Sequence, residues 1–350
     1  MRGEKDFNGF TFSKFKKAEV KKELLNSLIQ SKIEPACYWS AELICAGHYT
    51  DLWEIILLFF SKFIHLGNAN IGIYLDMRIN DFKTILVNGY SDNTLRLRNN
   101  DRIRKLFCEV MCILCDAKRR HSFDNVKIKP DDMNMLTIKD KFKAPTASYG
   151  EEVLMVEDPK ELFPFVNELA YSVTVAGNNQ MSACYWIEWI IEYENRCKAL
   201  KEKIACERRT FAKVDTKCQK DIVWIIWDVL LQEASKRSKL VQKLMDALMS
   251  LFCLKYATGC HKKRKNMMYL AISLLCEKFN MEKEIIRHTQ LGLVNAVKQK
   301  IDAVYAQIKK NEETTGTDYL FHGIKSSNLE STIKKLDAMN SFGESFVPRL

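Results

Sequence analysis

Apolar residues recur at the spacing of an α-helix along most of this chain of 350 residues, and this periodicity limits the fold most strongly. In the segment 15–33, Val20, Leu24 and Leu28 share one stripe and lysines occupy the opposite face. Similar apolar periodicity marks 36–46, 51–66, 102–117, 186–200, 222–231, 240–254, 267–279 and 291–308. The pattern predicts an all-α protein made of helical bundles, with only minor irregular or short-strand insertions.

Two local signals refine these helices. Gly47 follows the second segment at a position that favours a left-handed C-cap, and Thr50 or Asp51 is expected to cap the third helix. The stretch 68–99 contains Gly72, Gly89 and several asparagines, so it is predicted to form loops or a short strand such as Ile71–Leu75.

Proline and charge divide the chain. Residues 122–165 contain four of the six prolines, and 131–165 has eight acidic residues against four lysines, although the whole chain carries a net charge of +10. We therefore predict a helical lobe at 1–121, an acidic connector at 122–165, a second helical lobe at 166–310 and a polar tail at 311–350. Within the tail, Tyr319–Phe321 and Phe342–Val347 are candidate docking segments.

The two lobes echo each other in sequence. ACYW at 36–39 recurs at 183–186, DLWEIILLFF from Asp51 is echoed by DIVWIIWDVLL from Asp221, and IRKLFCEVMCILC from Ile103 aligns without gaps with VQKLMDALMSLFC from Val241. The three echoes come in the same order. They favour an internal duplication, which predicts two similar helical bundles.

The twelve cysteines do not indicate a disulfide scaffold, because the chain is long and rich in core residues. Most lie in apolar helical runs, where a free cysteine acts as a small buried hydrophobe. The most apolar stretch, Leu52–Leu66, is too short and too polar to span a bilayer. With no secretory signal recognised, we expect a reducing compartment and no membrane span.

The common catalytic motifs are missing from the sequence. It contains no phosphate-binding glycine loop, no dinucleotide fingerprint, no zinc protease motif, no hydrolase elbow and no kinase catalytic loop. We therefore predict a protein that is not an enzyme and needs no cofactor, although an enzyme of unrecognised type stays open.

Basic clusters on both lobes are candidates for phosphate or partner contacts. The alternative is that they are solvated helix ends, where cations interact favourably with the helix dipole. The residues concerned are Arg96, Arg98, Arg102, Lys118, Arg119, Arg120, Lys262, Lys263, Arg264 and Lys265.

Two groups of cysteine and histidine residues could bind a metal, although this is the weaker interpretation of their spacing. Cys112, Cys115 and His121 have a spacing that suits zinc, and Cys253, Cys260 and His261 lie close together in the second lobe. Burial on an apolar helix face explains Cys112 and Cys115 better, because the sequence offers no second zinc knuckle, so no metal site is predicted. The tryptophans are expected to be core or interface anchors: Trp39, Trp53, Trp186, Trp224 and Trp227.

The phrases ACYWSAELICAGHYTDLWE and ACYWIEWIIEYENRCK, followed by KDIVWIIWDVLL, resemble an uncharacterised helical protein of large nucleocytoplasmic (giant) DNA viruses. The resemblance covers roughly residues 35–279. It implies a virus-encoded protein made in the infected cell, and it assigns no catalytic residues.

Two functions follow as expectations. The first is a non-enzymatic virion structural or assembly protein of the minor capsid type, which contacts other viral structural proteins in the virion or at the viral factory in the host cytoplasm. Paired lobes and missing catalytic motifs favour it. The second is a nucleic-acid-binding factor of viral replication or transcription, which the basic clusters favour.

Overall fold

The computed structural model describes residues 7–90, 94–124, 126–280 and 282–311. These ranges are predominantly helical and contain no β-strand, so the predicted all-α class is confirmed. The α-helices are α1 Lys17–Ile29, α2 Ile33–Cys45, α3 Tyr49–Phe59, α4 Ile71–Val87, α5 Asp101–Asp116, α6 Met135–Ile138, α7 Ser148–Glu151, α8 Phe163–Val173, α9 Gln180–Ala199, α10 Val223–Ser235, α11 Lys239–Phe252, α12 His261–Cys276 and α13 Leu291–Ile308. A π-turn spans Phe60–Ile64, and 3₁₀ turns span His65–Gly67, Thr94–Asn99, Pro130–Met133, Lys139–Lys141, Lys160–Leu162, Thr216–Lys220, His288–Gln290 and Lys309–Asn311.

Helices α1–α5 form what we call the first bundle, Lys17–Asp116. Each helix turns its apolar stripe inward, as Val20, Leu24 and Leu28 of α1 do. Helix α2 lies in the middle, packed against α1, α3 and α5. Gly47 has a φ of +78°, which confirms the predicted left-handed end of α2.

Helices α8–α12 form the second bundle, Phe163–Cys276. Its core is unusually aromatic, since Trp186, Trp189, Trp224 and Trp227 are all fully buried. Such large rings bury much apolar surface, so they contribute strongly to the stability of this bundle.

The two bundles share one continuous hydrophobic core within the described residues. Helix α4 packs against α11, and α12 packs against α3 and the π-turn. Helix α13 then crosses back and packs on α2 and α5 of the first bundle. The last described helix therefore completes the first bundle, although it is far from that bundle in sequence.

Some packing pairs recur between the bundles, whereas the second and third helices pack closely on each other only in the first. Counted from the start of each bundle, the first helix packs on the second, third and fifth, and the fifth packs on the second and fourth, in both cases. A duplication would produce this recurrence. The third sequence echo, however, aligns α5 with α11, which are the fifth and fourth helices of their bundles. The duplication and the domain division built on it stay predictions.

Two local predictions are wrong. Ile71–Leu75 begins helix α4 and is not a strand, because Ile71, Leu75, Ile79 and Phe82 are buried at helical spacing. Thr50 and Asp51 lie inside α3, so neither caps it, and His48 precedes its first residue.

The connector residues 126–165 pack against the second bundle. The indole nitrogen of Trp189 donates a hydrogen bond of 2.8 Å to the Asp132 carbonyl. Glu168 accepts hydrogen bonds from the backbone N–H groups of Lys143 and Ala144. The buried Arg209 guanidinium binds Asp158 at 2.6 Å. These contacts place the connector as a cover over α8 and α9.

No helix in the described ranges combines the length and apolar character that a bilayer crossing requires. The predicted docking segments Tyr319–Phe321 and Phe342–Val347 lie outside the described residues.

Candidate functional site

The basic residues near α5 divide into exposed and buried members. Arg98 lies on the 3₁₀ turn Thr94–Asn99, is 1% exposed, and donates a hydrogen bond of 3.2 Å to the carbonyl of Cys45 at the end of α2. Its role there is structural, because it binds a helix C-terminus. Arg96 and Arg102 are exposed.

The cluster Lys118–His121 follows α5 and passes over Gly67, whose lack of a side chain lets the two backbones approach. Arg119 donates hydrogen bonds to the carbonyl of Leu28 at 2.6 Å and to the Ser31 hydroxyl at 2.7 Å. It therefore caps the C-terminus of α1. Arg120 pairs with Glu277, the residue that follows α12, and Lys118 is exposed.

The second cluster lies in the first turns of α12 and not in the last turn of a helix, so the helix-dipole explanation fails for it. Cations at a helix N-terminus are unfavourable unless acidic groups offset them. Arg264 pairs with Glu54 of α3 and donates to the Phe252 carbonyl, and Lys265 pairs with Glu188 at 3.1 Å. Lys262 and Lys263 are exposed.

The ten predicted contact residues therefore serve two purposes. Arg98, Arg119, Arg120, Arg264 and Lys265 hold elements of the fold together. The exposed residues without an ion pair to any described residue are Arg96, Arg102, Lys118, Lys262 and Lys263. Phosphate binding by these five stays a prediction.

The predicted tryptophan anchors also separate into two groups. Trp53, Trp186, Trp224 and Trp227 are at most 2% exposed and belong to the core. Trp39 is half-buried and meets Phe15 and Tyr38 edge-on. Only Trp39 of the five is therefore partly accessible from outside.

A groove of about 610 Å³ lies where α4 of the first bundle meets α11 of the second. We call it the inter-bundle groove. Its apolar lining comes from Phe82, Leu86, Phe211, Leu231, Met249, Cys253 and Leu254.

Three lysines, Lys83, Lys213 and Lys255, line the same groove and are exposed, whereas Asp246 is the acidic residue of the lining. Lys83 and Lys213 form no ion pair with any described residue. The apolar side chains thus form the floor of the groove, and the exposed lysines give its rim a positive charge. Sequence reasoning missed it, because its residues come from four separated segments.

A second constellation is a cluster of three thiols, which we call the thiol cluster: Cys37, Cys108 and Cys112. Their sulfur atoms all lie within 4.8 Å of one another, and each side chain is at most 2% exposed. Of the three residues whose spacing suits zinc, Cys112 belongs to this cluster, whereas Cys115 and His121 do not. In the part of the chain that the structure describes, no other group of histidine, cysteine or acidic side chains reaches this proximity.

The three thiols perturb one another. Hydrogen bonds from the Cys108 and Cys37 thiols lower the pKa of Cys112. The same contacts, with burial, raise the pKa of Cys37. Burial and the Glu109 carboxylate act in the opposite direction and raise the pKa of Cys112, whereas the Lys298 ammonium of α13, which binds Glu109 at 2.5 Å, lowers it. The charge of the cluster is therefore coupled to α13.

Comparison of the chain with known proteins finds no relative: no protein-family model, curated protein or solved structure matches it. Nothing in them links the chain to giant viruses.

Proposed function

We propose that the protein is a non-enzymatic assembly protein that binds an acidic, amphipathic helix of a partner protein in the inter-bundle groove. The groove is the observation that carries the proposal. An amphipathic helix fits an apolar groove by laying its apolar face on the floor. The three rim lysines against one aspartate favour a partner whose polar face is acidic.

The way in which the groove is built supports binding without rearrangement. Its walls are α4 and α11, which pack directly on each other, and the floor residues Phe82 and Met249 are buried. A site held between two packed bundles is largely preformed, which lowers the entropic cost of binding.

The setting that we propose is virion assembly, with other viral structural proteins as partners. The sequence resemblance implies a virus-encoded protein, and the paired helical lobes and missing catalytic motifs favour an assembly role. Detection of the protein at a fixed copy number in purified virus particles would support this setting. Its absence from particles, together with its presence in infected cells, would contradict it.

Binding to nucleic acid is the second candidate, and the exposed cations at Arg96, Arg102, Lys118, Lys262 and Lys263 favour it. Duplex or single-stranded DNA should then bind with an affinity that falls steeply with added salt. Loss of that binding in the variant carrying Lys262→Glu and Lys263→Glu would favour this function over the assembly role.

The groove is tested with two labelled synthetic helices that share one leucine stripe. One has glutamates and the other has lysines on the polar face, and fluorescence anisotropy reports binding. We expect the acidic helix to bind and the basic helix not to bind. The double variant Lys83→Glu, Lys213→Glu should weaken binding by roughly 10-fold or more, because it reverses the charge of the rim.

The matched control is Lys262→Glu, Lys263→Glu, which changes the same number of exposed charges away from the groove. It should leave binding of the acidic helix unchanged. Equal binding of both helices, or equal loss in both double variants, would refute the groove proposal. Self-association of the chain would also refute the groove proposal if the acidic helix fails to displace the second copy.

A further inference from the structure

The thiol cluster is assembled by two helices that are distant in sequence. Cys108 and Cys112 are four residues apart and share one face of α5. Helix α2 packs against this face and supplies Cys37. Helix α13 packs on both α2 and α5, so the three sulfurs lie inside the bundle and not at its surface.

We propose that Cys37, Cys108 and Cys112 bind one Cu(I) ion as a three-coordinate thiolate site. This site lies apart from the inter-bundle groove and does not depend on the proposed assembly function.

The donor set selects the metal. Soft sulfur ligands favour Cu(I), Zn(II) and iron–sulfur clusters over hard cations. Structural zinc is held almost always by four protein ligands, and iron–sulfur clusters by four cysteines. Among the described residues no fourth histidine, cysteine or carboxylate joins the group. Three sulfurs without a fourth ligand match the trigonal coordination that Cu(I) accepts.

The spacing is close to what such a site requires. With metal–sulfur bonds of about 2.3 Å, a planar trigonal site places its sulfurs about 4 Å apart. The three sulfurs already lie within 4.8 Å of one another. A small contraction, through rotation of the cysteine side chains, completes the geometry.

Binding involves proton release and no electron transfer. Each sulfur that forms a bond to Cu(I) gives up its thiol proton to solvent, so the site becomes negatively charged overall. Buried negative charge needs a nearby cation, and the Lys298 ammonium of α13, although it also binds Glu109, is the cation that acts on both Cys108 and Cys112.

The competing explanation is that the three thiols are ordinary core hydrophobes. The chain contains a matched example of that behaviour. Cys184 occupies the same place in the second ACYW sequence and is fully buried, yet no two further ligands from the described residues lie around it at the spacing of the thiol cluster. The two explanations therefore predict different results for Cys37 and Cys184.

The experiment uses the reduced full-length chain under anaerobic conditions, with Cu(I) supplied as its acetonitrile complex. A chromogenic Cu(I) chelator competes for the ion, which suppresses weak binding at other thiols. We expect one equivalent of Cu(I) to resist the chelator. X-ray absorption should show three sulfur neighbours at about 2.3 Å.

Single serine variants assign the ligands. Cys37→Ser, Cys108→Ser and Cys112→Ser should each lower the affinity by at least roughly 100-fold, since loss of even an outer contact costs 10- to 100-fold. Cys184→Ser and Cys115→Ser should retain the affinity of the natural chain. Circular dichroism verifies that each variant is folded, and alanine replaces serine where a variant fails to fold.

Several results would overturn the proposal. These are failure of the natural chain to retain Cu(I) against the chelator, equal loss in Cys184→Ser, and four-coordinate zinc bound in preference to Cu(I). The X-ray absorption measurement needs no variant, so misfolding of the variants cannot decide the outcome.

Discussion

The two ACYW sequences begin in the same way and acquire different surroundings. In α2, Cys37 faces two further thiols from α5, and Trp39 stays half-buried beside Phe15. In α9, Cys184 lies in the apolar core and Trp186 is 1% exposed. Identical residues at the same helical spacing thus face a cluster of three thiols in one bundle and apolar core in the other.

The cover over each helix explains the difference. Connector residue Phe142 packs with Phe165 and Trp186, so the connector seals this part of α9. Over α2, Phe15 lies against Trp39 and leaves it half-buried, while α5 and α13 both pack on the helix. What a helical residue can do is therefore set by the elements that pack on it.

The largest contrast is expected between the two ACYW tryptophans. Trp186→Ala should lower the free energy of unfolding by about 3 to 5 kcal/mol, because it empties a large buried site. Trp39→Ala should cost clearly less, since half-buried Trp39 leaves a smaller cavity. Urea unfolding measures both, and equal losses would contradict the contrast in burial.

Copper should distinguish the two ACYW cysteines. At a free Cu(I) concentration 100 times the dissociation constant, binding should stabilise the natural chain by about 2.7 kcal/mol. Differential scanning calorimetry with and without Cu(I) measures the corresponding rise in Tm. Cys184→Ala should keep this rise and Cys37→Ala should lose it. A rise that survives in Cys37→Ala would mean that the stabilising ion binds elsewhere.

One buried histidine on each side of the bundle junction should give a matching pH dependence. Burial lowers the pKa of both His65 and His261 from 6.5 to about 4, so both are neutral in the folded state at pH 7. As pH falls below 6.5 the unfolded chain takes up protons first, and the stability contributed by the neutral histidines is lost progressively toward pH 4.

Between pH 7 and pH 5 this loss should be about 2 kcal/mol for each histidine. Unfolding measured across this range should show a smaller loss in His65→Gln and in His261→Gln than in the natural chain. The comparison uses the slope of the free energy of unfolding against pH and not its absolute value, because each variant also changes packing. Parallel slopes in all three proteins would show that neither histidine titrates as expected.

The smallest expected effect on stability is the difference between substitutions at two neighbouring cations, Arg119 and Lys118. Arg119→Ala should cost about 1 kcal/mol, because it removes hydrogen bonds to the C-terminus of α1. Lys118→Ala should change stability by less than about 0.5 kcal/mol, as is usual at exposed positions. Thermal unfolding compares the pair, and a larger effect at Lys118 would contradict the assigned roles.

Local sequence determined which segments are helices. The apolar period predicts α1, α5, α9, α10, α11, α12 and α13 within a few residues at most ends, because one helix face must bury its stripe. Gly47 ends α2 as predicted because it adopts a positive φ. The sequence pattern does not predict α4, because Gly72 and neighbouring asparagines weaken the helical signal although the buried residues follow it. It does not predict α8 either.

Only the tertiary structure decided which helices meet, and so where the two candidate sites lie. The cysteine face of α5 is visible in the sequence, but nothing local indicates that α2 supplies Cys37 or that α13 covers them. The inter-bundle groove likewise needs Phe82, Phe211 and Met249 to converge from separate segments. Helical periodicity is a property of residues three or four apart, whereas helix pairing is set by the fit of whole faces across long sequence separations.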